Sequence, residues 1–465
     1  MKVTLQYLTN NNTMKNIITI IGLLFLFSCS HQESGIASYT ISGTVYNYYN
    51  LGIQNIKVYY GNNAYVVTDA QGKFEIDNVH GSVTISPLDP SYTFTPNATT
   101  VTNASSGLSF YGAPVVTETA NSIAVYSWFA QNQLPNGLVP STENGSTVSL
   151  YDNALAALVF IAKGDKVKAE RIFNFFNNRI SSELNAGTGG FSQFRDTNGT
   201  PNGNKWMGDN CWLLIALNNY AIKFNSTTYI TLQNNLDTWI RSLQNADGSL
   251  NGGYDSNGLI AIQVTEGMID AYNAISGYDA FHSKLLTFFK QNRWVASNTY
   301  LLAYPNNYYQ YALDNFSWGY CAFEDFPSAT LSSSYTLFGT TKMATATGSN
   351  IAGFCFDIDK DDVWLEGTGQ MVIAYQKAGM VTEANQYLSE IEKALVNSTT
   401  YTNAKGIPYA TNIGTGYMSG VLWTGADTNP VVSSSAWYLF GVLHFDPMAV
   451  GYSKNCPQAD KFWLN

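Results

Sequence analysis

Residues Leu150–Ile180 read LYDNALAALVFIAKGDKVKAERIFNFFNNRI. The first half is apolar on almost every side. The second carries its apolar residues on one stripe, and Gly164-Asp165 interrupts the run between them. A helix apolar all round must be buried, whereas a striped one covers a core and faces water. The stretch therefore predicts a helical hairpin with an inner and an outer member.

The same design returns along the chain. GDNCWLLIALNNYAIKF is followed by TTYITLQNNLDTWIRSLQ, and VTEGMIDAYNAIS by YDAFHSKLLTFFKQNRW. A weaker copy begins near LDNFSWGYCAFEDF, a clear one is DVWLEGTGQMVIAYQKAG with VTEANQYLSEIEKALVN, and the last is VVSSSAWYLFGVLHF. The apolar members start near Asp152, Asp209, Glu266, Phe316, Val363 and Ser433, the first three at equal intervals. The repeat is longer than in most helical solenoids, and the excess lies in loops before each apolar helix. Six apolar helices alternating with six amphipathic ones predict an all-α (α/α)6 toroid over residues 113–450. Residues 451–465 are expected to be a C-terminal tail.

Ahead of it the period changes to two. YTISGTVYN, NIKVYYG, AYVVTDAQG, KFEIDNV and GSVTISP read as short antiparallel strands, with a turn at Asp69-Ala70-Gln71-Gly72. This segment, residues 38–112, resembles the carboxypeptidase-regulatory-like β-sandwich, and the resemblance implies an Ig-like spacer module without chemistry. The fold class expected is thus multi-domain, a small all-β Ig-like sandwich followed by an all-α toroid, in keeping with a chain of 465 residues.

The first 37 residues carry no such pattern. Met14-Lys15-Asn16 precedes IITIIGLLFLFSCS, an apolar run too short to stay in a bilayer as a helix. Leu26-Phe27-Ser28-Cys29 resembles a bacterial lipobox. The resemblance implies a leader over 1–29 with its true start at Met14, lipidation of Cys29, a tether over 30–37, and an address in the cell envelope, at the outer membrane.

Composition narrows the partners. With a net charge of −10 and five arginines in all, the chain lacks the basic surface that nucleic acid requires. Membrane contact is expected only through the lipid. The remaining cysteines, Cys211, Cys321, Cys355 and Cys456, have no zinc spacing. No HExxH, GxSxG or P-loop occurs. The 31 tyrosines and 10 tryptophans leave rings to spare for sugar faces.

The acids decide the chemistry. Asp152, Asp209 and Glu266 stand in the first turn of successive apolar helices, and Asp361, Asp362 and Glu366 at the same place in a later one. Each can serve its own helix as a cap. In a toroid, however, the inner helices are parallel, so their N-terminal ends converge on one mouth. The loops before them bring Phe194, Arg195, Trp206 and Tyr254, and Trp364 adjoins Glu366. Carboxylates in an aromatic cleft suit glycoside hydrolysis, which needs one group to protonate the leaving oxygen and another to activate water or attack carbon.

YDNALAAL, GDNCWLL, TEGMIDAY, DVWLEGTGQM and SSSAWYLF together resemble the six-hairpin glycosidase-like enzymes. That resemblance implies a carbohydrate-active enzyme, expected here to be a glycoside hydrolase on a neutral poly- or oligosaccharide. Asp209 and Glu266 are the expected catalytic pair, with Glu366 in reserve. Asp152, Phe194, Arg195, Trp206, Tyr254 and Trp364 are the expected substrate contacts. A lyase or sugar isomerase on the same toroid, and a glycan-binding protein without catalysis, are the alternatives. No cofactor is expected. The run DIDKDD lacks the glycine and the final glutamate of an EF-hand, which leaves only an irregular Ca²⁺ site near Asp357, Asp359 and Asp361.

Overall fold

A computed structural model describes residues 38–47, 51–61, 63–305, 310–415 and 420–464. The leader, the tether and Cys29 lie outside the described residues. The chain divides after Ala113 into two compact units.

The first unit holds eight strands among its described residues: β1 (Tyr39–Asn47), β2 (Lys57–Tyr60), β3 (Ala64–Val67), β4 (Lys73–Val79), β5 (Val83–Leu88), β6 (Tyr92–Thr95), β7 (Thr99–Val101) and β8 (Ser105–Pro114). They form two four-stranded sheets, β4-β1-β8-β6 and β3-β2-β5-β7. β1 runs antiparallel to β4 and parallel to β8. Alternate side chains of both sheets, among them Ile41, Val45, Val58, Phe74, Ile85 and Phe110, meet in one core. Asp69 shapes the expected turn. Its carboxylate accepts the amides of Gln71 (2.9 Å) and Lys73 (2.8 Å), and Gly72 follows with φ +71°. The sequence reading stopped at five strands. β6 and β7 are only four and three residues long, and β8, SSGLSFYGAP, mixes serine and glycine with its apolar residues, so none stands out as a strand.

The second unit begins at Pro114. Its described residues include twelve helices of at least nine residues: α1 (Ala120–Asn132), α2 (Leu150–Ala162), α3 (Lys166–Asn177), α4 (Met207–Lys223), α5 (Ile230–Ser242), α6 (Thr265–Ala274), α7 (Ala280–Asn292), α8 (Asp314–Ala322), α9 (Ala329–Phe338), α10 (Leu365–Lys377), α11 (Val381–Glu392) and α12 (Val432–Leu443). The even-numbered helices form a closed ring. α2 packs on α4, α4 on α6, α6 on α8, α8 on α10, α10 on α12, and α12 back on α2.

The odd-numbered helices lie outside. α3 buries only Ala169, Ile172, Phe173, Phe175 and Phe176, whereas α4 is buried almost continuously from Met207 to Leu217. The opening hairpin is made as its residues dictate. Ser149 caps α2, Gly164 turns the chain at φ +73°, and Asp165 caps α3. All six inner helices begin within two residues of the expected starts, at Leu150, Met207, Thr265, Asp314, Leu365 and Val432.

Trp212 of α4, Trp318 of α8 and Trp437 of α12 come from alternate inner helices and meet on the ring axis. Their ring centroids are 5.2, 5.9 and 6.4 Å apart. They fill the centre, so the ring is a packed core rather than a pore. The last residues also belong to this packing and are no loose tail. Phe462 and Trp463 are buried against Trp294 and Phe323, and Lys461 pairs with Glu324 (3.1 Å) and Asp325 (2.8 Å). Lys454 donates to the carbonyls of Asn273 and Ile275 at the C-terminal end of α6, where a cation suits the helix dipole.

Candidate active site

Five inner helices bring an acid into their first turn: Asp152 on α2, Asp209 on α4, Glu266 on α6, Asp314 on α8 and Glu366 on α10. Asp270 follows Glu266 by one turn of α6. On α6 and α10 the acid is a glutamate and the next residue a glycine. A Cβ on Gly267 would meet Met207 at 3.0 Å, and one on Gly367 would meet Trp364 at 2.1 Å and Leu313 at 2.8 Å. Those glycines admit the neighbouring side chains, and the longer glutamate side chain replaces the reach of aspartate.

Just past this level, α2, α4, α10 and α12 hold their incoming loops. The amide of Val139 donates to Asn153 Oδ1 (2.9 Å), Phe191 to Asn210 Oδ1 (3.0 Å), Phe354 to Thr368 Oγ1 (3.1 Å) and Ile407 to Ser435 Oγ (2.9 Å). On α6 the Leu250 amide meets Met268 Sδ at 3.4 Å. Each acceptor is the fourth residue of its helix. The loop before each of these helices is thereby fixed relative to the helix's first turn.

The acids form one cluster. Asp209 feels the charges of Glu266 and Asp152, Glu266 and Asp152 feel Glu366, and Asp270 feels Glu266, Asp314 and Asp209. Burial dominates every one of them. It pushes Asp152, Glu266 and Glu366 up to about 7, Asp209 to about 8, and Asp270 and Asp314 well above the carboxylate range. Asp270 and Asp314 are each 1% exposed, and one oxygen of each has no hydrogen-bond partner. The charges that raise Asp152, Asp209, Glu266, Asp270 and Asp314 further are those of other members of the ring.

Glu366 is the best supplied with donors. Tyr151 Oη donates to its Oε1 at 2.6 Å, and Trp437 Nε1 donates to Tyr151 Oη at 3.2 Å. Ser433 and Gln370 stand near it and favour its ionised form, although Gln370 Nε2 itself has no hydrogen-bond partner. Gln370 lies one turn further along the helix, and its Oε1 accepts from Ser317 at 3.0 Å. Beneath the acids lies the tryptophan core. Trp212 follows Asp209 by about one turn, and Trp318 follows Asp314 likewise, so the floor of the mouth is apolar.

The loop residues divide. Trp206 directly precedes α4 and packs on Gly252, and Tyr254 pairs with Lys205 across a short ladder. Both are partly exposed. Phe194 pairs with Ser149, the cap of α2, and is 37% exposed. Trp364 is 5% exposed and stands beside Glu366.

Arg195 departs from expectation. It is 3% exposed, bonds Glu183 at 2.6 and 3.0 Å, and lies over the rings of Phe175, Phe176 and Phe191. Successive strand residues point to opposite faces, so Phe194 faces out and Arg195 faces the outer helix. It holds the loop rather than offering a charge to a ligand.

The acidic loop before α10 is a separate arrangement. The Asp361 carboxylate accepts Thr415 N (2.7 Å) and Thr415 Oγ1 (2.8 Å), and Asp357 and Asp359 accept the amides two residues on. Two overlapping groups, Cys355 with Asp361 and Asp362 and Cys355 with Asp357 and Asp359, bring ligand atoms within 4.8 Å of one another. These are the positions at which an irregular cation site would form, though Thr415 and the loop's own amides already occupy several of the oxygens.

Asp314, Asp270 and Tyr151 escaped the sequence reading. A signal for Asp314 was present: Asp152-Asn153, Asp209-Asn210 and Asp314-Asn315 repeat one dipeptide at three inner-helix starts.

The toroid recurs among solved structures. A glycosidase variant in complex with glucose is similar with a TM-score of 0.50 at 11% identity, over 71% of this chain and 97% of that one. An α-amylase from Clostridium perfringens gives 0.50 at 10% identity, over 71% and 100%. A sugar epimerase from a ruminal bacterium gives 0.49 at 12% identity, over 70% and 96%. At such identities the likeness is one of fold. Comparison with protein-family models and with curated protein sequences gives no match.

Proposed function

We propose that the second unit is a glycoside hydrolase acting on a neutral poly- or oligosaccharide. The observation that carries this reading is the ring of buried acids at the N-terminal ends of the inner helices, set over an apolar floor. Asp209, pushed furthest up of the three expected catalytic acids at about 8, holds a proton at neutral pH and serves as general acid. Glu366, which takes the Tyr151 hydroxyl at 2.6 Å and lies lower than Asp209 at about 7, serves as base or nucleophile. Glu266, coupled by charge to both, sets how the cluster's protons are shared. Asp152, Phe194, Trp206, Tyr254 and Trp364 contact the sugar. The fold shared with glycosidases is compatible with this reaction and does not choose it, so the reading rests on the acids.

The test is reducing-end release by residues 30–465 on a panel of neutral and acidic glycans, with ultraviolet absorbance followed in the same wells. A hydrolase yields new reducing ends without absorbance. Reducing ends with absorbance would make it a lyase; binding without cleavage would make it a sugar isomerase if the recovered sugar is changed and a glycan-binding protein if it is intact.

The first unit, two sheets on one core, serves in this reading as an Ig-like, carboxypeptidase-regulatory-like spacer. Lipidation at Cys29 would hold the enzyme at the outer membrane. Labelled palmitate should enter the wild-type chain and be absent from Cys29→Ser.

A further inference from the structure

We propose that Trp423, Tyr409 and Trp364 form a sugar subsite running from solvent to the acid ring, which takes a pyranose unit bearing no carboxylate or sulfate group. This rests on the carbohydrate reading above and extends it to a second sugar of the substrate.

The segment between α11 and α12 is laced to the residues around Glu366. The Leu365 amide donates to the Tyr409 carbonyl (3.0 Å), the Thr411 amide to Val363 (3.1 Å), and the Tyr409 amide to Ala426 (2.8 Å). The Ala426 amide closes the turn on the Trp423 carbonyl at 3.1 Å. These bonds fix three rings in a row. Trp423 lies 4.7 Å from Tyr409, and Tyr409 lies 6.1 Å from Trp364, centroid to centroid.

Exposure falls along the row. Trp423 is 48% exposed, Tyr409 is partly buried, and Trp364 is 5% exposed with its indole N–H unpartnered. At the inner end the Tyr409 hydroxyl is raised by burial and then by the charges of Glu366, Asp362, Glu266 and Asp314, so it sits in the field of the acid ring.

A half-exposed indole held in a fixed turn offers a flat apolar face beside polar groups. The C–H face of a pyranose fits such a ring, and its hydroxyls can donate to the acids and accept from Tyr409. The surrounding charge is acidic, which opposes a uronate or a sulfated sugar.

Affinity electrophoresis of residues 30–465 in native gels tests this without requiring turnover. The gels hold xyloglucan, galactomannan, soluble starch or hydroxyethyl cellulose, with polygalacturonate as the acidic polymer. Wild type and Asp209→Asn should both be retarded by at least one neutral polymer and not by polygalacturonate. Trp423→Ala should weaken that retardation by roughly tenfold or more. Trp423→Phe should restore most of it. On any polymer that is cleaved, Trp423→Ala should raise KM and spare kcat, whereas Asp209→Asn should abolish kcat.

Unchanged retardation of Trp423→Ala, or tight binding of polygalacturonate, would overturn the subsite. So would a wild type retarded by no neutral polymer. Retardation lost in Trp423→Ala with no cleavage anywhere would keep the subsite and reject the hydrolase.

Discussion

Two acidic groups lie close together in this protein, and they behave differently. In the loop Asp357–Asp362 the acids divide: burial pushes Asp357 and Asp362 up to about 7, whereas Asp359 is answered locally. Asp359 is pushed up by burial, but hydrogen bonds from Thr415 and the Asp361 amide prevail and bring it below its usual range. Its acids shape a loop. The ring of Asp152, Asp209, Glu266, Asp270, Asp314 and Glu366 is sparser in sequence yet deeper in the fold, and burial drives all six upward. What sets the ring apart is that all six of its acids are raised and that they come together from the N-terminal ends of five inner helices.

Substitution at the two places should separate them most sharply. Asp209→Asn and Glu366→Gln should each lower kcat by about 10²–10⁴-fold while the protein stays folded, as loss of an acid or base does. Asp361→Asn should leave kcat unchanged. Tyr151→Phe removes the 2.6 Å donor to Glu366. The base should then ionise at higher pH, moving the acidic limb of the kcat/KM profile upward and lowering the rate below it by roughly tenfold for each unit moved.

Stability should divide in the same way. The ring acids have ordinary values of 3.8 or 4.5 and are raised to about 7 or beyond. The folded chain therefore binds more protons than the unfolded chain between about pH 4 and pH 8. The stability this confers is complete below about pH 4 and is lost as pH rises through the folded values. Paired substitution Asp270→Asn with Asp314→Asn should raise Tm relative to wild type by a few degrees at pH 8 and by little at pH 4.5. A constant difference across that range would show that the two are not held protonated. The smallest effect belongs to the loop. Asp361→Asn weakens its bonds to Thr415 and should cost about 1 kcal/mol in chemical denaturation.

Much of the ring was legible because it repeats. LYDNALAAL, GDNCWLL and TEGMIDAY place an acid at the head of an apolar helix, and that phase carried Asp152, Asp209, Glu266 and Glu366 to one end of the toroid. Asp314 was lost because α8 is only nine residues long and its apolar run reads from Phe316. Asp270 looked like one polar residue in a mixed helix, since nothing local shows that α6 is buried on every side. Arg195 was misplaced because its loop leads to an inner helix, while the strand within that loop turns its side chain to the face opposite Phe194. Tyr409 and Trp423 owe their position to backbone bonds with Val363 and Leu365, far away in sequence. No spacing rule brings those segments together.

The most direct measurement is a crystal structure of Asp209→Asn soaked with a neutral oligosaccharide that the wild type cleaves. The sugar should lie over Trp212, Trp318 and Trp437, with the scissile oxygen between residue 209 and Glu366 and a second unit against Trp423. A sugar bound instead at the Asp357–Asp362 loop, or over the sheets of the first unit, would contradict the account.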